Sequence, residues 1–230
     1  MIVKNSGAPP PRNEVITMTQ KAILFDLDGT LTDSAEGILN CVALALEHFG
    51  LPVYDRETMI VFVGPPLGQT FPKFGVPEEH VQTAIDIFRS RYTTVGKFEN
   101  TPFPGIREML ATLRSQGHAL YIATSKPEQQ AREILEHFDL AQYFDIIAGA
   151  ATDKSRATKE EVIAYLKEKS GPIGQAIMVG DTVFDVEGAA AHQIPCIGVS
   201  WGYGKVEDML ASGACAIAND PAHLIELINA

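Results

Sequence analysis

Two aspartates separated by one leucine follow a short apolar run in the stretch "KAILFDLDGTLTDS", residues 21–34. Because side chains two residues apart along a strand point the same way, we expect Asp26 and Asp28 to face one small volume. Two carboxylates buried together repel each other unless one is protonated or a cation lies between them. Mg²⁺ suits such a place, since it prefers oxygen ligands and is commonly held by carboxylates together with substrate phosphate oxygens.

The glycine after the second aspartate fits the same chemistry. Gly29 permits a tight turn and would leave neighbouring N–H groups open to a phosphate, so Gly29 and Thr30 are candidate substrate-binding residues. The alternative is ordinary turn chemistry, because Asp-Gly is a common turn dipeptide. Other stretches of the sequence favour the chemical interpretation.

The stretch "YIATSKP", residues 121–127, brings hydroxyls and a cation to the end of a second apolar strand. Thr124 and Ser125 offer hydroxyls and Lys126 offers an ammonium, and these groups can orient a phosphoryl group. Hydroxyl residues before a proline are also ordinary helix-start residues, so this stretch has a structural alternative.

Two further motifs add acids and a lysine. The stretch "AIMVGDTVFD" ends a strand at Asp181 and places Asp185 four residues later, one helical turn away and on the same face. Lys159 lies near the start of the amphipathic helix predicted from "SRATKEEVIAYLKEKSG". A lysine there is usually a solvated surface residue, but beside four acids at one sheet edge it would balance their charge.

These candidates lie at the ends of apolar runs that alternate with amphipathic stretches of helical length. The six runs are "KAILFD", "ALYIAT", "FDIIAGA", "AIMVGD", "PCIGVS" and "ACAIA". The pattern is typical of an α/β fold with a parallel sheet covered on both faces, in which ligands bind at the carboxyl ends of the strands. We therefore expect Asp26, Thr124 and Asp181 at one edge of the sheet.

One region breaks the alternation and has helical periodicity instead. The stretch "DSAEGILNCVALALEHFG" predicts a helix with Asp33 and Glu36 spaced as a capping box and Gly50 as its stop. Further helical stretches are predicted around residues 56–63 and 78–95. Such a region, inserted after the first strand, would cover the carboxyl edge of the sheet as a lid; a separate helical domain with no catalytic role is the alternative.

The sequence therefore predicts three parts. These are an extended arm at residues 1–20, an α/β core at residues 21–33 and 102–230, and a helical cap domain at residues 34–101. Substrate choice is expected to depend on side chains of the cap. The cap candidates are Gly64 to Gly68, Lys73, Arg89 and Arg91.

The composition limits the function classes. The chain has 230 residues, 46% of them hydrophobic, and no apolar run reaches the ~18 residues of a membrane span. The net charge of −11 argues against nucleic acid or an anionic membrane as the main partner. The three cysteines are far apart, so neither a disulfide framework nor a zinc cluster is indicated. We expect a cytoplasmic protein, and the sequence leaves open whether it is a monomer or a dimer. An anionic small molecule remains possible as a ligand where local cations, N–H donors or a metal overcome the net charge.

The motifs together resemble the haloacid dehalogenase superfamily, in its phosphatase branch with an α-helical cap. The likeness is carried by "DLDGT", "TSK", the following Lys159 and "GDTVFD" in this order, and it covers the chain from Lys21 onward. The stretches "GPPLG", "FENTPFPGI" and "CIGVSWGYG" are similar to the phosphoglycolate phosphatase-like group and its 5′-nucleotidase relatives. The resemblance implies a Rossmann-like three-layer core with an inserted C1-type cap.

The resemblance also implies roles for individual residues. Asp26 would be the nucleophile that becomes an aspartyl phosphate. Asp28 would be the general acid and then the general base, kept protonated at the start by a neighbouring carboxylate and partial burial. Thr124 would hydrogen-bond the phosphoryl oxygens, and Lys159 would neutralise Asp26 and the phosphate.

The implied cofactor is Mg²⁺, bound by Asp26, the backbone carbonyl of Asp28 and Asp181, with Asp185 supporting. The implied function is hydrolysis of a small phosphorylated metabolite such as phosphoglycolate, with 5′-nucleotidase activity as the alternative. A sugar-phosphate mutase of the β-phosphoglucomutase type is less favoured, because that group typically carries Glu-Asp where this chain has Gly180-Asp181. A non-catalytic binding protein of the same fold is also less favoured, because the chain keeps every motif residue.

Overall fold

The structure, a computed structural model, describes residues 20–153 and 155–230, so the predicted arm lies outside it apart from Gln20. The strands are β1 Ala22–Phe25, β2 Thr32–Asp33, β3 Thr101–Pro102, β4 Ala119–Pro127, β5 Ile146–Ala150, β6 Ala176–Gly180, β7 Cys196–Val199 and β8 Ala216–Ala218. The α-helices are α1 Ala35–His48, α2 Arg56–Met59, α3 Leu67–Thr70, α4 Val81–Tyr92, α5 Ile106–Ser115, α6 Glu128–His137, α7 Lys159–Ser170, α8 Val183–Ala190, α9 Val206–Ala211 and α10 Pro221–Asn229. No helix within the described ranges has both the length and the apolar composition that crossing a membrane requires.

Six of the strands form one parallel sheet in the order β5-β4-β1-β6-β7-β8. All six apolar runs of the sequence are strands of this sheet, which confirms the predicted α/β fold. The central strand β1 is buried on both faces, with Ile23, Leu24 and Phe25 completely inaccessible. A strand with two apolar faces is stabilised between two helix layers, because both faces then leave water.

The helices form those two layers. Ile23 and Phe25 of β1 belong to a buried cluster with side chains of α5, α6 and α10. Leu24 points to the opposite face and belongs to a second cluster with side chains of α7, α8 and α9. The core therefore has three layers, as the resemblance implied.

The pairing register brings the carboxyl ends of three strands together. Phe25 at the end of β1 pairs with Ile122 of β4 on one side and with Val179 of β6 on the other. Asp26 follows the last residue of β1 and Asp181 follows the last residue of β6, while β4 continues to Pro127. Asp26 and Asp181 therefore emerge at one edge, as their positions in the sequence predicted.

The segment from the end of β2 to the first residue of β3, here called the insert (residues 34–101), is mainly helical and has its own cluster of buried side chains. The two short strands pair antiparallel and form the junction between the insert and the core. The predicted helical stretches are present, as α2 followed by a 3-10 turn at Ile60–Phe62 and as a 3-10 turn at Glu78–His80 followed by α4. We propose that the insert is the predicted cap domain, and its separate cluster of buried side chains supports this.

The start of α1 differs from the prediction. The N-cap residue is Ser34, and its side chain makes no capping hydrogen bond, so the capping box of Asp33 and Glu36 is wrong. The carboxylate of Asp33 accepts a hydrogen bond of 3.2 Å from the N–H of Ala35, the first residue of the helix, and one of 2.8 Å from the hydroxyl of Tyr203, a residue far away in the chain. The helix ends as predicted, with Gly50 at a φ of +64°.

Candidate active site

A buried lysine lies among the predicted acids. Lys159, the first residue of α7, is 4% exposed. Its Nζ lies 2.9 Å from Oδ1 of Asp26 and 2.8 Å from Oδ1 of Asp185, and it donates to the carbonyl of Ala123 at 2.8 Å. Gly188 of α8 leaves room for its stem, because a Cβ there would lie 2.6 Å from Cβ of Lys159. The lysine is therefore a buried counter-ion and not a solvated surface residue.

The charges around this lysine decide which groups stay ionised. Burial lowers the pKa of Lys159, but the carboxylates of Asp185 and Asp26 outweigh burial and hold the pKa above its ordinary value. Burial raises the pKa of Asp26 although Lys159 opposes the rise. Burial, followed by the charges of Asp185 and Asp26, raises the pKa of Asp181 well above its usual range. The cluster thus holds more negative charge than one ammonium balances.

Asp26, Asp181 and Asp185, here called the acidic cluster, each offer a carboxylate oxygen, and these atoms all lie within 4.8 Å of one another. Buried carboxylates facing a single ammonium leave an excess of negative charge, and oxygen atoms are the ligands that hard divalent cations prefer. The residues present therefore fit a divalent cation. The side chain of Asp28 lies outside the cluster, so Asp28 would contribute to such a site only through its backbone carbonyl.

Asp28 lies beside a cation and not beside a carboxylate. Its Oδ2 is 2.6 Å from Nζ of Lys126, and the same Nζ is 2.6 Å from the hydroxyl of Tyr92 in α4. Oδ1 of Asp28 is buried and has no hydrogen-bond partner among the described residues. Sequence reasoning did not assign this partner to Asp28; β4 brings Lys126 to that position.

Two residues hold Asp181, which is completely buried at the end of β6. The hydroxyl of Thr30 donates to its Oδ1 at 3.1 Å, and the backbone N–H of Tyr203 donates to its Oδ2 at 2.8 Å. A Cβ at Gly202 would lie 2.2 Å from Cβ of Asp181, so the loop approaches as closely as glycine allows. Sequence reasoning missed Tyr203. The signal for it was the pair of glycines in "SWGYG", which indicates a close backbone approach.

The sequence predicted that the N–H groups around Gly29 are open to a phosphate, and for Gly29 and Thr30 the structure contradicts this. The N–H of Gly29 donates to the carbonyl of Thr32 at 2.8 Å, and the N–H of Thr30 donates to the carbonyl of Leu27 at 3.3 Å, so both bonds close the turn. Gly29 has a φ of +83°, and a Cβ there would lie 2.2 Å from Oδ2 of Asp181. In the structure, Gly29 and Thr30 therefore place Asp181.

A cavity of about 410 Å³ lies between the sheet edge and the insert. Thr124, Ser125 and Lys126 line it together with the acids, which is where the sequence predicted phosphate-binding groups. From the insert, the lining residues are Ile38, Phe62, Gly64, Pro65, Pro66, Leu67, Phe88, Arg89 and Tyr92. Of the cap candidates, Gly68, Lys73 and Arg91 do not line it, and Arg91 pairs with Glu99 at 2.6 Å instead. A more open groove of about 640 Å³ beside α6 contains none of the predicted site residues.

Comparison with known proteins identifies the family. A sequence model of the haloacid dehalogenase-like hydrolases matches residues 23–199, which is most of the chain. The chain belongs to this family. The resemblance carried by the sequence motifs is thereby confirmed.

Three similar proteins carry different names. The tyrosine-protein kinase PtkA of Mycobacterium tuberculosis (strain ATCC 25618 / H37Rv) is 42% identical over 89% of this chain and 70% of its own length. A 5′-nucleotidase of Pseudomonas aeruginosa is 39% identical over 90% of this chain and 94% of its own. The crystal structure of a predicted phosphatase from Clostridium acetobutylicum superposes with a TM-score of 0.84 at 43% identity, over 91% of this chain and 98% of that one. Its family and its relatives that are named as phosphatases show that this chain is a phosphatase.

Replacing Lys159 by Ala should destabilise the fold in metal-free buffer, because Asp26 and Asp185 then stay buried without their cation. We expect the free energy of unfolding to fall by about 3–5 kcal/mol, as is typical when one partner of a buried pair is removed. Lys167→Ala, an exposed position on the same helix, is the matched control and should change it by less than about 0.5 kcal/mol. Urea unfolding measures the free energy of unfolding of both variants. Equal losses would contradict the role of Lys159 as the buried counter-ion of Asp26 and Asp185.

Proposed function

We propose that this protein hydrolyses phosphomonoesters in two steps, with Asp26 as the nucleophile. The observation that carries the proposal is the fixed orientation of Asp26 at the floor of the cavity. Its Oδ1 accepts a hydrogen bond of 2.7 Å from the N–H of Leu27 and lies 2.9 Å from Nζ of Lys159. Because these donors hold one carboxylate oxygen, the carboxylate is oriented for the other oxygen to attack phosphorus.

The two steps use Asp28 in opposite directions. First, an oxygen of Asp26 forms a bond to phosphorus while the bond from phosphorus to the leaving oxygen breaks, and Asp28, which carries a proton at this step, gives it to the leaving oxygen. Water then attacks the phosphorus of the aspartyl phosphate, Asp28 takes a proton from the water, and phosphate is released from Asp26. Thr124, Ser125 and Lys126 bind the phosphoryl oxygens from the end of β4, where they line the cavity.

Mg²⁺ is the cation we propose for the acidic cluster. Asp26, Asp181 and the backbone carbonyl of Asp28 would hold it, with Asp185 supporting, and Mg²⁺ characteristically combines few carboxylates with phosphate oxygens. When bound, it supplies positive charge that offsets the charges of the nucleophile and the phosphate. Lys159 keeps the carboxylates of Asp26 and Asp185 in place.

Two alternatives within the fold have less support. A mutase of the β-phosphoglucomutase type typically carries a glutamate at the position of Gly180, and a Cβ there would lie 2.2 Å from Cγ of Asp185. A glutamate therefore could not enter without moving Asp185. A non-catalytic binding protein would have no need to bury the costly pair of Lys159 and Asp26 beside a cavity that also holds Asp28.

The cavity favours a leaving group larger than glycolate. Its volume of about 410 Å³ lies within the roughly 300–1,000 Å³ of clefts that enclose drug-sized ligands. Phe62, Pro66, Phe88 and Phe184 supply apolar lining that a two-carbon acid would leave in contact with water. We therefore propose a leaving group of nucleoside size, the class named for the Pseudomonas aeruginosa relative. Phosphoglycolate, predicted first from the sequence, is the competing substrate.

Removal of divalent ions with EDTA should abolish turnover of p-nitrophenyl phosphate, and added Mg²⁺ should restore it, because the anionic nucleophile and phosphate need the positive charge. Asp26→Asn should be inactive at every Mg²⁺ concentration, and Asp181→Ala should need more Mg²⁺ for half-maximal rate. Asp208→Asn, an exposed acid in α9, is the control and should behave as the wild type. Full activity in metal-free buffer would exclude this mechanism.

Asp28→Ala should separate proton transfer from covalent attack. A p-nitrophenolate departs without a proton whereas an alkoxide does not, so we expect kcat/KM, which reports formation of the aspartyl phosphate, to fall by about 10²–10⁴-fold on an alkyl phosphate and much less on p-nitrophenyl phosphate. Asp26→Ala should lose activity on both substrates. Equal losses on the two substrates for Asp28→Ala would remove its role as the acid.

A substrate panel should decide between the two leaving groups. We expect kcat/KM for nucleoside 5′-monophosphates to exceed that for phosphoglycolate by at least about tenfold, because the apolar lining of the cavity can contact a nucleobase but not a two-carbon acid. Sugar phosphates and pyrophosphate complete the panel. The opposite order would establish the phosphoglycolate prediction instead. Transfer of phosphate from ATP to a tyrosine peptide, without hydrolysis of any monoester, would contradict the proposed hydrolase.

A further inference from the structure

We propose that Tyr92 of the insert is a positioning residue for proton transfer by Asp28. Its hydroxyl holds the ammonium of Lys126, and through this ammonium it fixes where the carboxyl group of Asp28 lies relative to the leaving oxygen. The inference rests on the proposed function, because it takes Asp28 as the group that transfers the proton. Under this inference, the insert positions Asp28 through Tyr92 and Lys126 and also lines the cavity.

The contacts form a continuous chain from the insert to the acid. Tyr92, the last residue of α4, is 5% exposed, and its ring stacks on Phe88 with centroids 5.1 Å apart and planes at 15°. Its hydroxyl lies 2.6 Å from Nζ of Lys126, and that Nζ lies 2.6 Å from Oδ2 of Asp28. The ring stacking holds the tyrosine in the orientation from which it reaches the core.

Lys126 is the point where the insert and the acid meet. An ammonium has three N–H donors, and the described acceptors for Lys126 are Asp28 and Tyr92, which leaves one donor for a phosphoryl oxygen. Because Lys126 is 8% exposed, little water can replace the hydroxyl of Tyr92. Burial lowers the pKa of Lys126, but Asp28 and Tyr92 raise it above its ordinary value, so the ammonium is the form that both hold.

Two ion pairs also join the insert to the core, but they lie away from the chemistry. Arg56 pairs with Asp33 at 3.2 Å in a largely exposed position, and Lys97 pairs with Glu133. Neither pair lines the cavity. Among the hydrogen bonds within residues 20–153 and 155–230, that of Tyr92 is the one that connects an insert side chain to the partner of Asp28.

Loss of the hydroxyl should act on the step that needs the acid. Without it, Lys126 and Asp28 are no longer held from the insert, and a small displacement of a catalytic group is costly to rate. For Tyr92→Phe, which keeps the stacking ring, we expect kcat/KM for an alkyl phosphate to fall about tenfold, equivalent to about 1.4 kcal/mol. On p-nitrophenyl phosphate we expect kcat/KM to fall by less than about twofold, because its leaving group departs without a proton and the phosphate contacts remain.

Tyr54→Phe is the matched control, because it removes the same atom from the same insert at a 47% exposed position against Phe74. It should leave both rates unchanged. Equal losses on the two substrates, or wild-type rates for Tyr92→Phe, would each overturn the proposal.

Hydrogen exchange without substrate separates this inference from the proposed function. Tyr92→Phe should speed exchange of the amides around Lys126 and Asp28, whereas Tyr54→Phe should not. If the wild type hydrolyses neither phosphate, the proposed function fails, and the exchange data still decide whether Tyr92 positions the two residues. Unchanged exchange in Tyr92→Phe would overturn the positioning role whatever the activity.

Discussion

Balance of buried negative charge at the carboxyl edge of the sheet is the constraint on which the rest of the site depends. Asp26, Asp181 and Asp185 offer oxygens within 4.8 Å of one another, and Lys159 contacts the first and the last of them. Carboxylates this close raise one another's pKa unless cations hold them in the ionised form. The parallel sheet makes the arrangement possible, because the ends of β1 and β6 lie side by side and α7 delivers its first residue to the same place.

The loops around the cluster are shaped by the same constraint. Asp181 can be completely buried because Thr30 and the backbone of Tyr203 donate to its two oxygens. Such donors reduce the cost of burying a carboxylate and also fix its direction. The close approach requires glycine at positions 29 and 202, where a Cβ would lie 2.2 Å from atoms of Asp181. These glycines therefore follow from the packing around one acid.

Two buried lysines of the site pair with different carboxylates. Lys159 belongs to the acidic cluster, whereas Lys126 pairs with Asp28 and contacts Tyr92 of the insert. The division keeps Asp26 and Asp28 beside different cations, although they are two residues apart in the chain. Among the hydrogen bonds of the described residues, the insert reaches Lys126 through Tyr92. The insert is thus connected to the partner of Asp28 and also lines the cavity.

The sequence by itself determined the six strands of the parallel sheet, the helical insert and the edge at which Asp26, Thr124 and Asp181 emerge, because these depend on local periodicity and on strand ends. The short strands β2 and β3 were not predicted. Tertiary structure alone decided which atoms meet at that edge. Lys126 reaches Asp28 across 98 positions and Tyr92 across 34, and neither pairing has a local pattern. The N–H groups of the turn at Gly29 are a further case, since packing against Asp181 decides how that turn closes. Spacing predicts the face that a side chain shares, but its partner depends on rotamers and on elements that come together only when the chain is folded.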